Sequence, residues 1–125
     1  MKSIKKISLK IIVIFVVFSL GCATTGKIQR GSVLNKNLQD GVYTASSNKG
    51  PVKVEVEVVI DQSRIETVRI LKHRTLKGKD AESIIPDRIT RFQSTEVDGV
   101  SGATMSSIAI MNAVQLAIDK AGSTQ

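Results

Sequence analysis

The chain has 125 residues, which is enough for one domain and no more, and it contains no tryptophan, three phenylalanines and one tyrosine. Any hydrophobic core must therefore be built from aliphatic side chains. The formal net charge is +7, but four lysines fall within the first ten residues, and the remainder carries 14 basic against 11 acidic residues. So mild an excess, without interleaved aromatic residues, gives no support for nucleic acid as a partner.

Residues 1–21 have the three-part layout of a secretory signal peptide. A basic start is followed by an apolar run at 11–18, which is too short for a comfortable membrane span. Cys22 is the only cysteine, so no intramolecular disulfide is available. Its position after Gly21 resembles that of the lipidated cysteine in a bacterial lipobox, although Ser19 stands where leucine is usual. The resemblance implies export and attachment to membrane lipid through Cys22; the alternatives are a free thiol after ordinary cleavage, or an uncleaved membrane anchor.

Residues 22–39 are predicted to form a lipid-anchored tether that holds the following domain away from the bilayer. The segment starts with small polar residues, and its second half shows no sustained period of two or 3.6. A short helix around residues 33–38 would not change this interpretation. The folded domain is predicted to span residues 40–122.

Three strands are predicted at the start of this domain. They lie at residues 41–45, 52–58 and 65–71 and are separated by turns at 46–51 and 61–64. Valine occupies every second position of the middle strand, and the charged residues between the valines are Lys53, Glu55 and Glu57. This alternation is typical of a strand with one face on the core and the other in water. The second and third strands are predicted to form a hairpin.

Residues 72–79 are predicted to form a basic loop, which contains the only histidine, His73. With no second histidine, a metal site is unsupported. Residues 80–92 carry apolar side chains at helical spacing, but Pro86 lies inside this run. Because an interior proline removes a backbone hydrogen bond, the helix is predicted to start close to Pro86, after a looser turn at 81–85.

Residues 98–104 read Asp-Gly-Val-Ser-Gly-Ala-Thr and precede the apolar run 108–121, which is predicted to be a helix. A tight turn that leads into a helix collects free backbone N–H groups and the positive end of the helix dipole, which suit a phosphate. Thr104 is predicted at or near the first helical turn, with its hydroxyl close to that anion site. Without further information, residues 98–104 are more simply explained as the start of a helix that Ser101 or Thr104 caps, with Gly102 present to allow a positive φ.

The last helix has a broad apolar face, which is predicted to pack on the valine face of the sheet and to end at Gly122. The predicted fold class is therefore α+β: a small antiparallel sheet of three or four strands with two helices packed on one face.

The motif at residues 98–104 resembles the Asp-x-x-Ser/Thr-Gly-Ala-Thr signature of the FMN-binding domain family, with every fixed position present. That family includes the C subunit of sodium-pumping NADH:quinone reductase and the G subunit of the Rnf electron-transport complex. The resemblance extends over roughly residues 40–121, and only the motif is highly specific. It implies that FMN is joined to Thr104 through a phosphoester bond, installed outside the cytoplasm by a flavin transferase that uses FAD and magnesium. The residues that the transferase would recognise are Asp98, Ser101, Gly102 and Ala103.

Further expectations follow from the same resemblance. The phosphate would rest on N–H groups of residues 102–106. The family often has a histidine after the third strand, followed shortly by glutamate and threonine; here Arg74 follows His73, the glutamate is absent and Thr75 remains. His73 or Arg74 would then lie beside the flavin ring, where a cation stabilises reduced anionic flavin and raises its potential. A solvated loop is the alternative.

The function implied is that of an exported, membrane-anchored flavoprotein that carries electrons from a membrane redox donor to an extracytoplasmic acceptor. The sequence shows no paired carboxylates, no nucleophile–base set and no nicotinamide fingerprint, so the chain is not expected to turn over a substrate alone. Two alternatives remain open. One is the flavin-bearing module of a multi-chain extracytoplasmic reductase, and the other is a structural or binding lipoprotein whose threonine is never modified.

Overall fold

The computed structural model describes residues 28–123 of the chain. The predicted signal peptide and the predicted lipid-attachment residue Cys22 lie outside the described residues. The elements, in chain order, are β1 (Gly41–Lys49), β2 (Val52–Asp61), β3 (Arg64–Arg74), α1 (Ala81–Phe92) and α2 (Thr104–Gly122). Among the described residues, no helix is both long and apolar enough to cross a membrane.

The predicted α+β class is confirmed, with three strands in a single antiparallel sheet of order β1-β2-β3. Helix α2 packs on β1 and β2, and helix α1 packs on β3 and on α2. The core lies between this helical layer and the inner face of the sheet. From β2 it takes every second side chain, namely Val52, Val54, Val56, Val58 and Ile60. The alternation read from the sequence therefore assigns the inner face correctly, because successive side chains of a strand point to opposite sides.

The two hairpin connections are tighter than the sequence indicates. Strand β1 continues to Lys49, so the first connection consists of residues 50–51, with Gly50 at a φ of +57°. The second connection places Gln62 and Ser63 at φ values of +52° and +57°. Such conformations usually require glycine or asparagine. The Ser63 hydroxyl donates a hydrogen bond to the Leu38 carbonyl at 3.0 Å, which helps to hold this turn.

Helix α1 begins at Ala81, so the prediction that it starts close to Pro86 is wrong. Pro86 lies inside the helix, where it removes the one N–H that would bond the carbonyl of Glu82. Its side chain is buried together with Ile85 and Ile89. Burial of this apolar row on both sides of the proline offsets the lost hydrogen bond.

The segment before β1 belongs to the domain over most of its described length, so the predicted boundary at residue 40 is too late. Val33 is fully buried and Leu38 is 4% exposed. The Val33 N–H donates to the carbonyl of Gln93 at 2.9 Å, and the Thr95 N–H donates to that of Gly31 at 2.9 Å. Two apolar side chains five residues apart match neither helical nor strand periodicity, which is why the sequence pattern resembles a tether.

Candidate functional site

Thr104 is the first residue of α2 and its side chain is exposed, as expected from the sequence. Just before it the backbone turns back on itself, with the Ala103 N–H donating to the Val100 carbonyl at 2.9 Å. Gly102 adopts a φ of +80° in this turn, and apart from its two chain neighbours no described residue would lie within 4 Å of a Cβ placed there. Glycine is therefore needed at this position for its backbone conformation and not for lack of space.

The N-terminus of α2 has no side-chain cap within the described residues, so neither Ser101 nor Thr104 caps it. The residue at the N-cap position is Ala103, which has no polar side-chain atom. The first helical bond runs from the Ser107 N–H to the Ala103 carbonyl at 2.9 Å. The N–H groups of residues 104–106 are therefore available to an acceptor outside the helix. They lie beside the exposed Thr104 hydroxyl, so this end of α2 fits a phosphate esterified to that oxygen.

The backbone of the motif is held from both helices. The Val100 N–H donates to the Ser107 hydroxyl at 3.0 Å, and that hydroxyl donates to the Ala103 carbonyl at 2.7 Å. From α1, the Arg88 guanidinium donates to the carbonyls of Asp98 and Gly99 at 2.7 and 3.3 Å. The side chains of Arg88 and Ser107 thus hold the motif by hydrogen bonds to its backbone groups.

Several side chains of the motif face solvent as a result of this arrangement. The exposed ones are Asp98, Ser101 and Thr104. Sequence reasoning missed the supporting roles of Arg88 and Ser107. Arg88 could have been noticed in the sequence, because it is a charged residue within an otherwise apolar helical row.

His73 is not part of a solvated loop, as the sequence prediction had it, because β3 continues to Arg74. Its side chain is 1% exposed, and its Nδ1 atom lies 2.7 Å from Glu82 Oε1. Its Nε2 atom lies 3.0 Å from Ser106 Oγ, in the first turn of α2. Glu82 of α1, nine residues away in the sequence, therefore lies beside His73 in the folded chain.

This burial corrects the expectation that His73 is free to contact a flavin ring. Both of its ring nitrogens are engaged below the first turn of α2. Arg74, the next residue along the strand, lies in register with Lys53 on the solvent side of the sheet. Neither Glu82 nor Ser106 was predicted, because they lie nine and 33 residues away from His73 in the chain.

The loop between β3 and α1 packs directly against the first turn of α2. Gly78 has a φ of +109°, and a Cβ atom there would lie 2.7 Å from Ser106 Oγ and 3.2 Å from Ala103 Cβ. Thr75 Oγ1 accepts a hydrogen bond from Ser106 Oγ at 3.3 Å. The same loop exposes Leu76 almost completely, and Met105 in the adjacent helical turn is 52% exposed. The site thus combines free N–H groups, an exposed hydroxyl and exposed apolar side chains.

The chain is similar to a known domain family and to known proteins. The sequence model of the FMN-binding domain family matches residues 48–119. An uncharacterized protein of Treponema pallidum is 38% identical over 80 residues, which are 62% of this chain and 22% of that protein. A urocanate reductase of Eggerthella lenta is 32% identical over 106 residues, which are 82% of this chain and 17% of the reductase. The chain therefore spans less than a quarter of the length of either curated relative.

The family match begins near the end of β1, includes β2, β3, α1 and most of α2, and contains the whole motif that ends at Thr104. It extends over more than half of the chain. The chain is a member of the FMN-binding domain family.

Proposed function

We propose that this protein is an exported, membrane-anchored flavoprotein that carries FMN through a phosphoester bond to Thr104. In this proposal it passes electrons from a membrane redox donor to an extracytoplasmic acceptor. The observation that carries the proposal is the exposed Thr104 hydroxyl at an uncapped helix N-terminus, at the end of a complete attachment motif. Export and anchoring rest on the sequence pattern of residues 1–22.

The residues around Thr104 suit each part of the cofactor. The N–H groups of residues 104–106 and the positive end of the helix dipole favour the phosphate. Lys77 and Lys79, in the loop that packs on α2, add positive charge near the same helix end. Leu76 and Met105 offer exposed apolar surface to the isoalloxazine ring. FMN, when bound, supplies one- and two-electron redox chemistry, and the protein supplies attachment and orientation.

Attachment requires a flavin transferase with FAD and magnesium. Transfer breaks the pyrophosphate bond of FAD, forms a bond from phosphorus to Thr104 Oγ, and releases AMP together with the hydroxyl proton. Such an enzyme must reach both the hydroxyl and the residues that identify it. The exposed side chains of Asp98 and Ser101 meet this need, while Arg88 and Ser107 hold the backbone from behind.

The test is an intact-mass measurement, with in-gel flavin fluorescence, of the chain coexpressed with a flavin transferase in the exported compartment. The expected result is an added mass of one FMN less water on the peptide that contains Thr104. Thr104→Ala should remove it, whereas Thr67→Ala, at another exposed threonine, should not. No added mass on the wild-type chain, beside a modified control protein in the same cells, would leave an unmodified structural or binding lipoprotein.

A second function, the flavin-bearing module of a multi-chain reductase, is favoured by one observation. Most of this chain aligns with a small part of a urocanate reductase. In that arrangement the chain supplies electrons to a separate catalytic chain. The two functions differ in an anaerobic assay of the reduced, flavinylated chain with urocanate and with other small acceptors. Reoxidation of the flavin that requires a second purified chain supports the module, and reoxidation by electron-carrier proteins alone supports the carrier.

A further inference from the structure

Charged side chains form a ladder across the solvent side of the sheet. Glu57 lies opposite Arg69, and their charged atoms are 3.6 Å apart. Glu55 lies opposite Lys72, at 3.8 Å. These two cross-strand pairs are complementary, as expected of neighbouring charges on one face of an antiparallel sheet.

The ladder ends in a pair that breaks this pattern. Lys53 lies directly opposite Arg74, and like charges in this position destabilise a sheet. Both side chains are exposed, and neither forms an ion pair within residues 28–123. The positive charge at this end of the ladder is therefore uncompensated by the part of the chain that the structure describes.

The uncompensated pair lies in a groove of about 590 Å³. Its solvent-facing side chains come from all three strands, and they are Ser46, Asn48, Lys53, Glu55, Lys72 and Arg74. Three cations against one carboxylate, with a hydroxyl and an amide alongside, favour an acidic occupant with several hydrogen-bonding groups. We call this surface the cationic groove.

The cationic groove lies at the same end of the sheet as Thr104. His73 precedes Arg74 in β3 and contacts Ser106 in the first turn of α2. The connection between β1 and β2 also reaches this turn, since a Cβ atom at Gly50 would lie 3.5 Å from Met105 Sδ. The cationic groove and Thr104 therefore lie at the same end of the domain, on opposite faces of the sheet.

We propose that the cationic groove is a docking surface for an acidic patch on a protein that exchanges electrons with this chain. The inference rests on the proposed carrier function, and it adds a partner of defined chemistry. A protein surface fits better than an anionic membrane because Glu55 and Glu57 interrupt the cations on the same face. Complementary charges on a protein partner select one orientation and hasten its encounter, whereas uniformly anionic headgroups offer no cation to face these carboxylates.

The decisive variant is Lys53→Glu in the full chain. It makes the pair with Arg74 complementary, so the melting temperature should rise by about 1–4 °C. The same change should weaken binding of an octaglutamate peptide, followed by amide NMR shifts, by about tenfold or more. Opposite changes in stability and binding would show that the like-charged pair serves a ligand. Equal peptide affinity in wild type and variant would overturn the proposal.

Lys36→Glu is the matched control, because it makes the same change in net charge at an exposed residue outside the groove. Peptide affinity that falls equally in both variants would indicate general charge attraction and would contradict the groove. Phosphatidylcholine vesicles with and without phosphatidylglycerol test whether the groove binds an anionic membrane instead of a protein. Shifts at Ser46, Asn48 and Lys53 caused by the anionic vesicles and not by the peptide would also overturn the proposal. The titrations need no flavin, so their outcome is independent of whether Thr104 is modified.

Discussion

The Nε2 atom of His73 lies 3.0 Å from the hydroxyl of Ser106, and this contact joins the end of β3 to the helical turn that begins at Thr104. The other ring nitrogen lies 2.7 Å from a carboxylate oxygen of Glu82. One buried histidine therefore connects β3, α1 and α2 beneath Thr104. We therefore expect His73 to hold the α2 N-terminus in position.

Replacement of His73 by glutamine or by asparagine should separate this positioning role from general stability. Glutamine places its amide near the position of Nε2 and retains the contact with Ser106, whereas asparagine reaches only the position of Nδ1. Both variants should lose about 1–3 kcal/mol of unfolding free energy, because each leaves one buried contact unmade. Flavin loading by the transferase should be several-fold slower in the asparagine variant, measured at a temperature where both are folded. Equal loading rates would show that the contact with Ser106 does not position Thr104.

Asp98→Ala should impair flavin loading without a loss of stability. The Asp98 side chain is exposed and forms no hydrogen bond or ion pair with the described residues, since Arg88 binds its backbone carbonyl. The unfolding free energy should change by no more than about 0.5 kcal/mol. Loading measured by intact mass should fall relative to Glu66→Ala, which removes an exposed carboxylate elsewhere. Full loading of the Asp98 variant would remove this residue from the recognition surface.

Arg88→Ala should destabilise the domain and should also make the backbone of residues 98–104 more mobile. The guanidinium donates to two consecutive carbonyls, and loss of such charged hydrogen bonds costs about 1–3 kcal/mol. Arg91→Ala is the control on the same helix, because Arg91 forms an exposed pair with Asp87 that contributes little. Denaturant unfolding of the two variants gives the comparison. Stability losses of the same size would argue against a specific role for Arg88.

Gly78→Ala should be among the more damaging single substitutions at the site. A Cβ atom would clash with Ser106, and the φ of +109° is unfavourable for any other residue. The expected cost is about 1–3 kcal/mol, together with reduced flavin loading as the first turn of α2 shifts. Gly31→Ala should be nearly neutral, because apart from its two chain neighbours no described residue lies within 4 Å of the added carbon. Thermal unfolding of both variants would reveal the difference, and a neutral Gly78 variant would contradict the packing described here.

Local patterns in the sequence were sufficient to locate the three strands and the motif, but not to give the strand order of the sheet. The alternation in β2 identifies its buried face without knowledge of its neighbours, because that alternation is a property of every strand. The apolar run after Thr104 predicts α2 in the same way. Pro86 shows where local rules fail, since the burial of Ile85 and Ile89 on a partner surface outweighs the local cost of a proline in a helix.

The sequence by itself therefore determined the fold class, the inner face of the sheet and the position of the motif that ends at Thr104, all of which depend on residues close together in the chain. Only the tertiary structure decided what holds that motif in place. Glu82 and Ser106 meet at His73, and Arg88 meets the carbonyl of Asp98, through the packing of α1 and α2 on β3 and on each other. Such contacts join residues that are distant in sequence, and no periodicity or motif in one segment specifies its partner in another.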